Sequence, residues 1–227
     1  MNLLSLDFAG RALLATVFTV YGSLHFIGIL ELLDLSQKPS TFALDITAGV
    51  VSFIFMILAV GLTVIRLPPK SVSRGWMPRI AAVAGTFMTL TLIILPQAAI
   101  SAPLKLLATS LIVVGTGLSA YCLAWLGRSF SIDAQARRLV IGGPYAIVRH
   151  PLYVCEAITL VGVALANLSV WSVAIVSANL AVQYWRILNE ERILTDTFTE
   201  YADYRLTVPQ LVPHLRRDGD AKQLTVR

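Results

Sequence analysis

The chain has 227 residues, of which 56% are hydrophobic and 14% charged, and it carries a net charge of +5. Its mean hydropathy of +0.74 excludes an ordinary soluble domain. Basic residues do not alternate with aromatic residues, so we attribute the positive charge to membrane topology and anionic lipid headgroups, and we expect no nucleic-acid partner.

Long uncharged stretches predict the first helices. Formal charges are absent between Arg11 and Glu31, between Asp45 and Arg66, between Arg79 and Lys105, and between Lys105 and Arg128. Each stretch has about the twenty residues that a helix needs to cross a bilayer. The sequence therefore predicts four transmembrane helices in this part of the chain.

A fifth and a sixth helix are predicted further along. The sequence has no formal charge from Ala157 to Tyr184, which is too long for one ordinary span, and Asn167 and Ser169 interrupt it. We interpret this stretch as a tight helical hairpin. The predicted fold class is an all-α, polytopic membrane bundle with about six membrane segments, the last two forming the hairpin.

The distribution of basic residues predicts the orientation. Arginine and lysine are concentrated in segments 66–79 and 127–150, whereas the intervening loops offer only Lys38 and the flanking Lys105. Under the positive-inside rule the two basic segments face the cytoplasm, and with six spans both termini do so too. We expect the first helix to remain as a span, and the location to be the plasma membrane if the protein is bacterial.

The densest polar motif runs from Gly142 to Tyr153, between the fourth and the fifth helix. Pro151 suits the first turn of a helix, which places Arg149 and His150 at a helix start. Backbone donors and the positive end of a helix dipole beside an arginine form an anion site. A basic interfacial anchor ahead of a proline-capped helix explains this segment equally well.

A second polar cluster lies near the end of the hairpin. Arg186 and Glu190 are four residues apart and project from one helical face, whereas Glu191 lies about 100° further around. The alternative is a solvated helix end with an ion pair worth only tenths of a kcal/mol. Because so apolar a chain seldom concentrates such groups without use, we favour a site.

Three motifs in order carry a family resemblance: Gly-x-Tyr-x3-Arg-His-Pro-x-Tyr from Gly143, Glu-Glu-x-x-Leu from Glu190, and Tyr-x-x-Tyr from Tyr201. They resemble the isoprenylcysteine carboxyl methyltransferase family, within the broader group that includes phospholipid methyltransferases. The resemblance covers about the last hundred residues. We therefore divide the chain into scaffold helices, residues 1–102, and a methyltransferase core with a C-terminal tail, residues 103–227.

The resemblance implies a role for each matched residue. In that family the loop before the Arg-His-Pro motif and the motif itself wrap S-adenosylmethionine, and the first glutamate of the pair also contacts it. The implied cofactor-binding residues are Leu139, Val140, Tyr145, Arg149, His150, Pro151, Tyr153, Glu190 and Glu191. The implied catalytic residues are Arg186 and Glu190, and the expected substrate contacts are Arg186, Tyr201, Tyr204 and Arg205.

These roles predict an S-adenosylmethionine-dependent methyltransferase whose acceptor enters laterally from the bilayer. A prenylated or other lipid-like carboxylic acid is the first expectation, because an acid is ionised at neutral pH and Arg186 can orient it by a forked hydrogen bond. A lipid amine is the second, and it needs a base such as His150 or a glutamate. An NADPH-dependent membrane reductase of related fold and a non-enzymatic lipid-binding protein compete with both.

Two residues depart from the family pattern. Cys155 stands where the family usually has glycine, and a side chain there is expected to narrow the cofactor pocket. Glu156 follows it, and we interpret it as an interfacial charge one turn inside the membrane. Neither Cys122 nor Cys155 has a partner at metal-ligand spacing, so we expect packing residues, no disulfide and no metal site.

Overall fold

The computed structural model describes residues 3–72, 80–81, 84–85, 88, 91–94, 99–131 and 135–213. These residues form six helices: α1 (Leu3–Asp34), α2 (Phe42–Ile65), α3 (Ala102–Leu126), α4 (Pro151–Ala166), α5 (Val170–Thr197) and α6 (Tyr201–Thr207). A short helical segment (Thr91–Ile94) precedes α3, and 3-10 turns span Gly127–Ser129 and Gly143–Ala146. The predicted all-α class is confirmed.

Three of the helices are long and apolar enough to cross a membrane: Gly10–Asp34, Phe42–Ile65 and Ala102–Ser129. They coincide with the first, second and fourth predicted spans. The third predicted span, between Arg79 and Lys105, lies largely outside the described residues. Helix α4 is apolar but has only 16 residues, a length of about 24 Å, which is less than the hydrocarbon core of about 30 Å. The protein is a helical membrane protein.

The predicted hairpin is formed by α4 and α5, and its turn lies at Asn167–Ser169. The Ser169 side chain accepts a hydrogen bond from the backbone N–H of Ser172, whose hydroxyl accepts one from the N–H of Ser169. This reciprocal capping box satisfies donors that the start of α5 would otherwise leave unpaired. The Asn167 side chain donates to the Val163 carbonyl and closes the end of α4.

Helices α3 and α4 pack closely because glycines lie at their contact. A Cβ atom added at Gly115 would lie 2.6 Å from the backbone nitrogen of Thr159, and one added at Gly162 would lie 2.8 Å from the carbonyl oxygen of Ala108. Small residues of this kind let two membrane helices bring their backbones together. The start of α4 is thereby fixed beside the end of α3.

A short antiparallel strand pair joins two loops and was not predicted from the sequence. Strand β1 (Ser71–Val72) pairs with β2 (Gln135–Ala136), and the Leu67 N–H donates to the Arg128 carbonyl. The pairing extends the contact between the connection after α2 and the loop after α3. These connections belong to the two basic segments, and the described residues of both segments therefore lie on the same side of the helices.

The last turn of α3 also fixes the loop ahead of α4. Gly143 has a φ of 60°, and a Cβ atom there would lie 2.5 Å from the Trp125 ring, whereas one at Gly142 would lie 3.5 Å from it.

We expect Gly143→Ala to reduce the free energy of unfolding by about 2–4 kcal/mol, because the positive φ and the steric clash both disfavour a side chain there. Gly142→Ala is the matched control and should change thermal stability little, so equal melting temperatures for the two variants would contradict this explanation.

Candidate functional site

The predicted helix start at Pro151 is confirmed, and a C-terminal segment, Val208–Pro213, covers the residues ahead of it. The backbone N–H of Arg149 donates to the Pro209 carbonyl at 2.8 Å, and that of His150 donates to the Gln210 carbonyl at 3.2 Å. These two backbone donors are thus used within the protein. An anion at this helix start would have to be bound by other groups.

Glu191 lies at the centre of a buried charged cluster, which we call the Arg149–His150–Glu191 cluster. Its Oε1 accepts a hydrogen bond from Arg149 Nε at 2.9 Å and lies 3.1 Å from His150 Nε2. The Arg149 guanidinium also donates to the carbonyls of Arg205 and Val208, at 3.0 and 2.8 Å. The cluster therefore ties together the start of α4, the end of α5 and the C-terminal segment.

The position of Glu191 has a consequence for its pKa. Burial alone would raise the pKa, but the hydrogen bonds and charges of His150 and Arg149 outweigh it and lower the pKa from 4.5 to about 2. Glu191 is therefore ionised at every pH at which a cell functions. The Glu191 carboxylate therefore helps to fix the positions of Arg149 and His150 in the site.

The lowered pKa predicts how stability depends on pH. Between about pH 4.5 and pH 2 the unfolded chain binds a proton at Glu191 that the folded chain does not, so its contribution is complete above pH 4.5 and is lost as the pH falls. We expect the melting temperature to fall more steeply across this window in the parent than in Glu191→Gln. Parallel curves for the two proteins, measured by thermal unfolding in detergent, would contradict the assignment.

The tyrosines of the motifs are buried around the same region. The Tyr204 hydroxyl donates to the Tyr145 carbonyl at 2.5 Å, and the Tyr145 hydroxyl donates to the Cys122 carbonyl at 3.4 Å. Burial raises the pKa of Tyr145, and it raises that of Tyr204 to about 12, so both phenols stay protonated donors. Tyr201 is 1% exposed, while Arg205 is exposed and supplies its backbone carbonyl to Arg149.

A second group of side chains lies between α4 and α5, and we call it the Tyr153 cluster. The Tyr153 hydroxyl donates to Glu190 Oε2 at 3.1 Å, and the Arg186 guanidinium carbon lies 5.4 Å from the centre of the Tyr153 ring. The His150 ring lies 5.8 Å from the same ring at an angle of 66°. The prediction that Arg186 and Glu190 share one face of their helix is confirmed, because both contact Tyr153.

Two further polar residues join the Tyr153 cluster and were not among the predicted site residues. Gln183 is buried and its Nε2 donates to Glu156 Oε2 at 3.1 Å. The carboxylate is thus engaged with α5, which differs from our interpretation of it as an interfacial charge. Helical spacing was the available signal, since Gln183 lies three residues before Arg186, and Glu156 lies three residues after Tyr153.

An apolar groove of about 440 Å³ opens beside the Tyr153 cluster. Tyr153 and Gln183 lie in its wall. The rest of the wall is mostly apolar and comes from α3, α4, α5 and the C-terminal segment: Leu111, Val154, Ala157, Ile158, Val161, Leu180, Tyr184, Ile187, Leu211 and Val212. The groove therefore combines a surface suited to a hydrocarbon chain with two polar wall residues, Tyr153 and Gln183, that belong to the charged Tyr153 cluster.

The remaining predicted residues lie nearby in the chain. Leu139 and Val140 are half-buried in the loop after β2, and Pro151 is buried at the start of α4. Cys155 is buried in a core cluster with Cys122 and Leu123. Its side chain therefore contributes to the packing of α3 against α4.

Comparisons with known proteins match the part of the chain that contains the two clusters. Residues 103–201 match the sequence model of the family described as phospholipid methyltransferase. Over 104 residues the chain is 32% identical to the cobalt-zinc-cadmium resistance protein CzcN of Cupriavidus metallidurans and 31% identical to the nickel-cobalt-cadmium resistance protein NccN of Alcaligenes xylosoxydans xylosoxydans. Each match covers 44% of this chain, and 48% and 49% of the two relatives.

The chain thus spans about half the length of the curated relatives it matches. The family match runs from the start of α3 to Tyr201 and includes the Arg-His-Pro motif and the Glu-Glu pair. It supports the broad group of membrane methyltransferases that the sequence motifs resemble. It does not single out the isoprenylcysteine branch of that group.

Proposed function

We propose that this protein is an integral membrane methyltransferase that uses S-adenosylmethionine and acts on a lipid-like acceptor. The observation that carries the proposal is the Tyr153 cluster beside the apolar groove, within the residues that match the family model. A charged site beside a hydrocarbon surface suits an acceptor whose head group reacts while its chain stays in the bilayer. We propose residues 103–227 as the catalytic unit and residues 1–102 as its scaffold.

The donor chemistry of the cluster fits the proposed cofactor. S-adenosylmethionine supplies an activated methyl group on a positively charged sulfur. The Glu190 carboxylate can accept hydrogen bonds from ribose hydroxyls or an ammonium group, and the ring of Tyr153 presents a face that favours a nearby cation. Tyr145, Arg149, Pro151, Leu139 and Val140 complete the proposed cofactor wall.

Glu191 has a different role in this proposal from that of Glu190. Its carboxylate already holds Arg149 and His150, so it serves the site by fixing their positions. Tyr204 supports the same region through its hydrogen bond to the Tyr145 carbonyl. Tyr201, Tyr204 and Arg205 remain proposed substrate-side residues.

For the acceptor we propose carboxyl O-methylation of a prenylated or other lipid-like acid. The chain of the acceptor would lie in the groove, and Arg186 would orient its carboxylate by a forked hydrogen bond. Methyl transfer is an in-line displacement, so alignment of an already ionised oxygen supplies much of the rate and no general base is needed.

A lipid amine is the second candidate acceptor, and one observation favours it. The Tyr153 cluster contains two carboxylates, Glu156 and Glu190, and one guanidinium, Arg186, so the cluster suits a cationic head group. An amine must lose a proton before it attacks, and His150 or Glu156 would accept that proton. The description of the matching family, phospholipid methyltransferase, agrees with this second candidate.

We further propose that both basic loops and both termini face the cytoplasm. The hydrogen bonds between the connection after α2 and the loop after α3 support a common side, and the excess of arginine and lysine there favours the cytoplasmic side. The proposed cofactor site lies near these loops, where a soluble cofactor has access.

Cofactor binding is the first test of the proposed function. Calorimetry on the detergent-purified full chain should detect S-adenosylmethionine and S-adenosylhomocysteine but not NADPH. Binding of NADPH alone would replace the proposal with a reductase, and binding of none of the three would favour a non-catalytic lipid-binding protein. A screen of lipid acids and lipid amines with a labelled methyl donor then identifies the acceptor.

Substitution of Glu190 tests the site within that experiment. Because hydrogen bonds to a charged group contribute about 1.5–3 kcal/mol, we expect Glu190→Ala to weaken cofactor binding by roughly 10- to 100-fold. Glu200→Ala is the matched control, since Glu200 is exposed and lies on the connection between α5 and α6. Equal dissociation constants for the two variants would remove Glu190 from the cofactor site.

A further inference from the structure

The two cysteines of the chain lie against each other across the α3–α4 contact. Cys122 Sγ and Cys155 Sγ are 3.9 Å apart, although 33 positions separate the two residues. Both side chains are buried, with exposed fractions of 2% and 8%, and both are free thiols. Neither has a role in the proposed transfer reaction, so the contact requires a separate explanation.

The backbone of α3 approaches the backbone of α4 closely at Cys155. A Cβ atom added at Gly115 would lie 2.9 Å from the carbonyl oxygen of Cys155 itself. Since a disulfide has an S–S distance of about 2.0 Å, the sulfurs at 3.9 Å must approach by about 1.9 Å. Closure therefore requires rotation of the two side chains and a small adjustment of the two helices.

The pair also lies close to the end of α3 and the start of α4. Cys122 is four residues before the end of α3 at Leu126, and Cys155 is the fifth residue of α4. At a rise of about 1.5 Å per residue, each thiol is about 6 Å from the end of its helix. The shortest route for a small uncharged oxidant to the buried pair therefore runs from these helix ends.

We propose that Cys122 and Cys155 form a reversible redox pair that closes to a disulfide in the presence of hydrogen peroxide. One thiol, as its thiolate, attacks a peroxide oxygen and becomes a sulfenic acid, and the displaced hydroxide takes up a proton to leave as water. The other sulfur then attacks the sulfenic sulfur and releases a second water. The two cysteines together lose two protons and two electrons, and the peroxide is reduced to two waters.

Closure of the pair would act directly on the Arg-His-Pro region. The Cys122 carbonyl accepts the hydrogen bond of the Tyr145 hydroxyl, and the Tyr145 carbonyl accepts that of Tyr204. A disulfide would also close a covalent loop around the whole segment between α3 and α4. In a reducing cytoplasm such a bond is transient, which suits a redox-responsive element.

Thiol counting on the full chain tests the proposal, because the sequence contains only two cysteines. The detergent-purified, reduced protein is treated with hydrogen peroxide, unfolded, and alkylated with a maleimide. We expect loss of both alkylation sites together, a monomer mass lower by two hydrogens, and recovery of both sites with dithiothreitol. Trypsin digestion should give residues 106–128 linked to residues 150–186 under non-reducing conditions.

The single variants Cys122→Ser and Cys155→Ser are the controls, and neither should lose two hydrogens or yield the linked peptides. Persistence of both alkylation sites in the parent would overturn the proposal. So would separate oxidation of each thiol to a sulfinic acid, or a disulfide between two chains. This test needs neither cofactor nor acceptor, so it stands apart from the proposed methyltransferase activity.

Discussion

Arg186→Ala should lower the turnover of methyl transfer by about 100-fold or more and leave cofactor affinity nearly unchanged. The guanidinium lies over the Tyr153 ring on the same helix face as Glu190, which places it beside both the proposed cofactor and the groove. Removal of an oriented charge at a reacting centre costs about 2.7–4 kcal/mol of transition-state stabilisation. Kinetics with the labelled methyl donor, compared with calorimetric cofactor binding, measure the two effects separately.

Arg192→Ala is the matched control for this variant. Arg192 is exposed and lies on the same helix, so its substitution removes the same charge and leaves the Tyr153 cluster unchanged. Unchanged turnover in Arg186→Ala, or a loss of the same size in Arg192→Ala, would exclude a role for Arg186 at the reacting centre. A large loss of cofactor affinity in Arg186→Ala would move the residue from the substrate side to the cofactor side.

Arg186→Lys separates the two candidate acceptors. Lysine keeps the positive charge but cannot make the forked pair of hydrogen bonds that a carboxylate accepts. If the acceptor is a lipid acid, most of the activity should be lost in this variant as well. If the acceptor is a lipid amine, the charge near Glu156 and Glu190 is the relevant property, and Arg186→Lys should stay close to the parent.

Much of the helical framework was predictable because local physics determines it. Uncharged stretches of bilayer length predicted α1, α2 and α3, and the break at Asn167–Ser169 predicted the hairpin, whose serine capping box gives the physical reason. Pro151 marked the start of α4 for a similarly local reason, since proline lacks the N–H that the first helical turn leaves unpaired.

The contacts between helices were less predictable, because they depend on how the helices pack. Spacing placed Arg186 and Glu190 on one face, but only the packing of α4 on α5 brings Tyr153 to both of them. The contact between Cys122 and Cys155 has no local signal, since 33 positions separate the thiols and the contact depends on the close packing of α3 against α4. The β1–β2 pair could not be predicted from the sequence either, because strands of two residues show no periodic pattern.

The roles of Glu190 and Glu191 also could not be distinguished from the sequence. The two residues are adjacent and chemically identical, and the family resemblance implied a cofactor role for both. In the structure Glu190 is half-buried and accepts from Tyr153, whereas Glu191 is buried between Arg149 and His150. The difference of about 100° around the helix sends one carboxylate to the Tyr153 cluster and the other to the charged cluster beneath the C-terminal segment.

Glu191→Ala should be the most destabilising single substitution in the site. It leaves Arg149 and His150, whose side chains are 9% and 5% exposed, without their carboxylate partner. Loss of one member of a buried ionic cluster costs about 3–5 kcal/mol, because the remaining charge stays buried without compensation. The free energy of unfolding, measured by denaturation in mixed detergent micelles, should therefore fall by about this amount.

Two further variants distinguish loss of the charge from loss of packing. Glu190→Ala removes the neighbouring carboxylate, whose single hydrogen bond to Tyr153 predicts a loss of only about 1 kcal/mol. The double variant Arg149→Met with Glu191→Leu removes both charges and should be more stable than Glu191→Ala alone, since apolar replacement of a buried ion pair avoids the unpaired charge. A double variant no more stable than Glu191→Ala would mean that the backbone hydrogen bonds from the Arg149 guanidinium to Arg205 and Val208, and not its pairing with Glu191, hold the C-terminal segment in place.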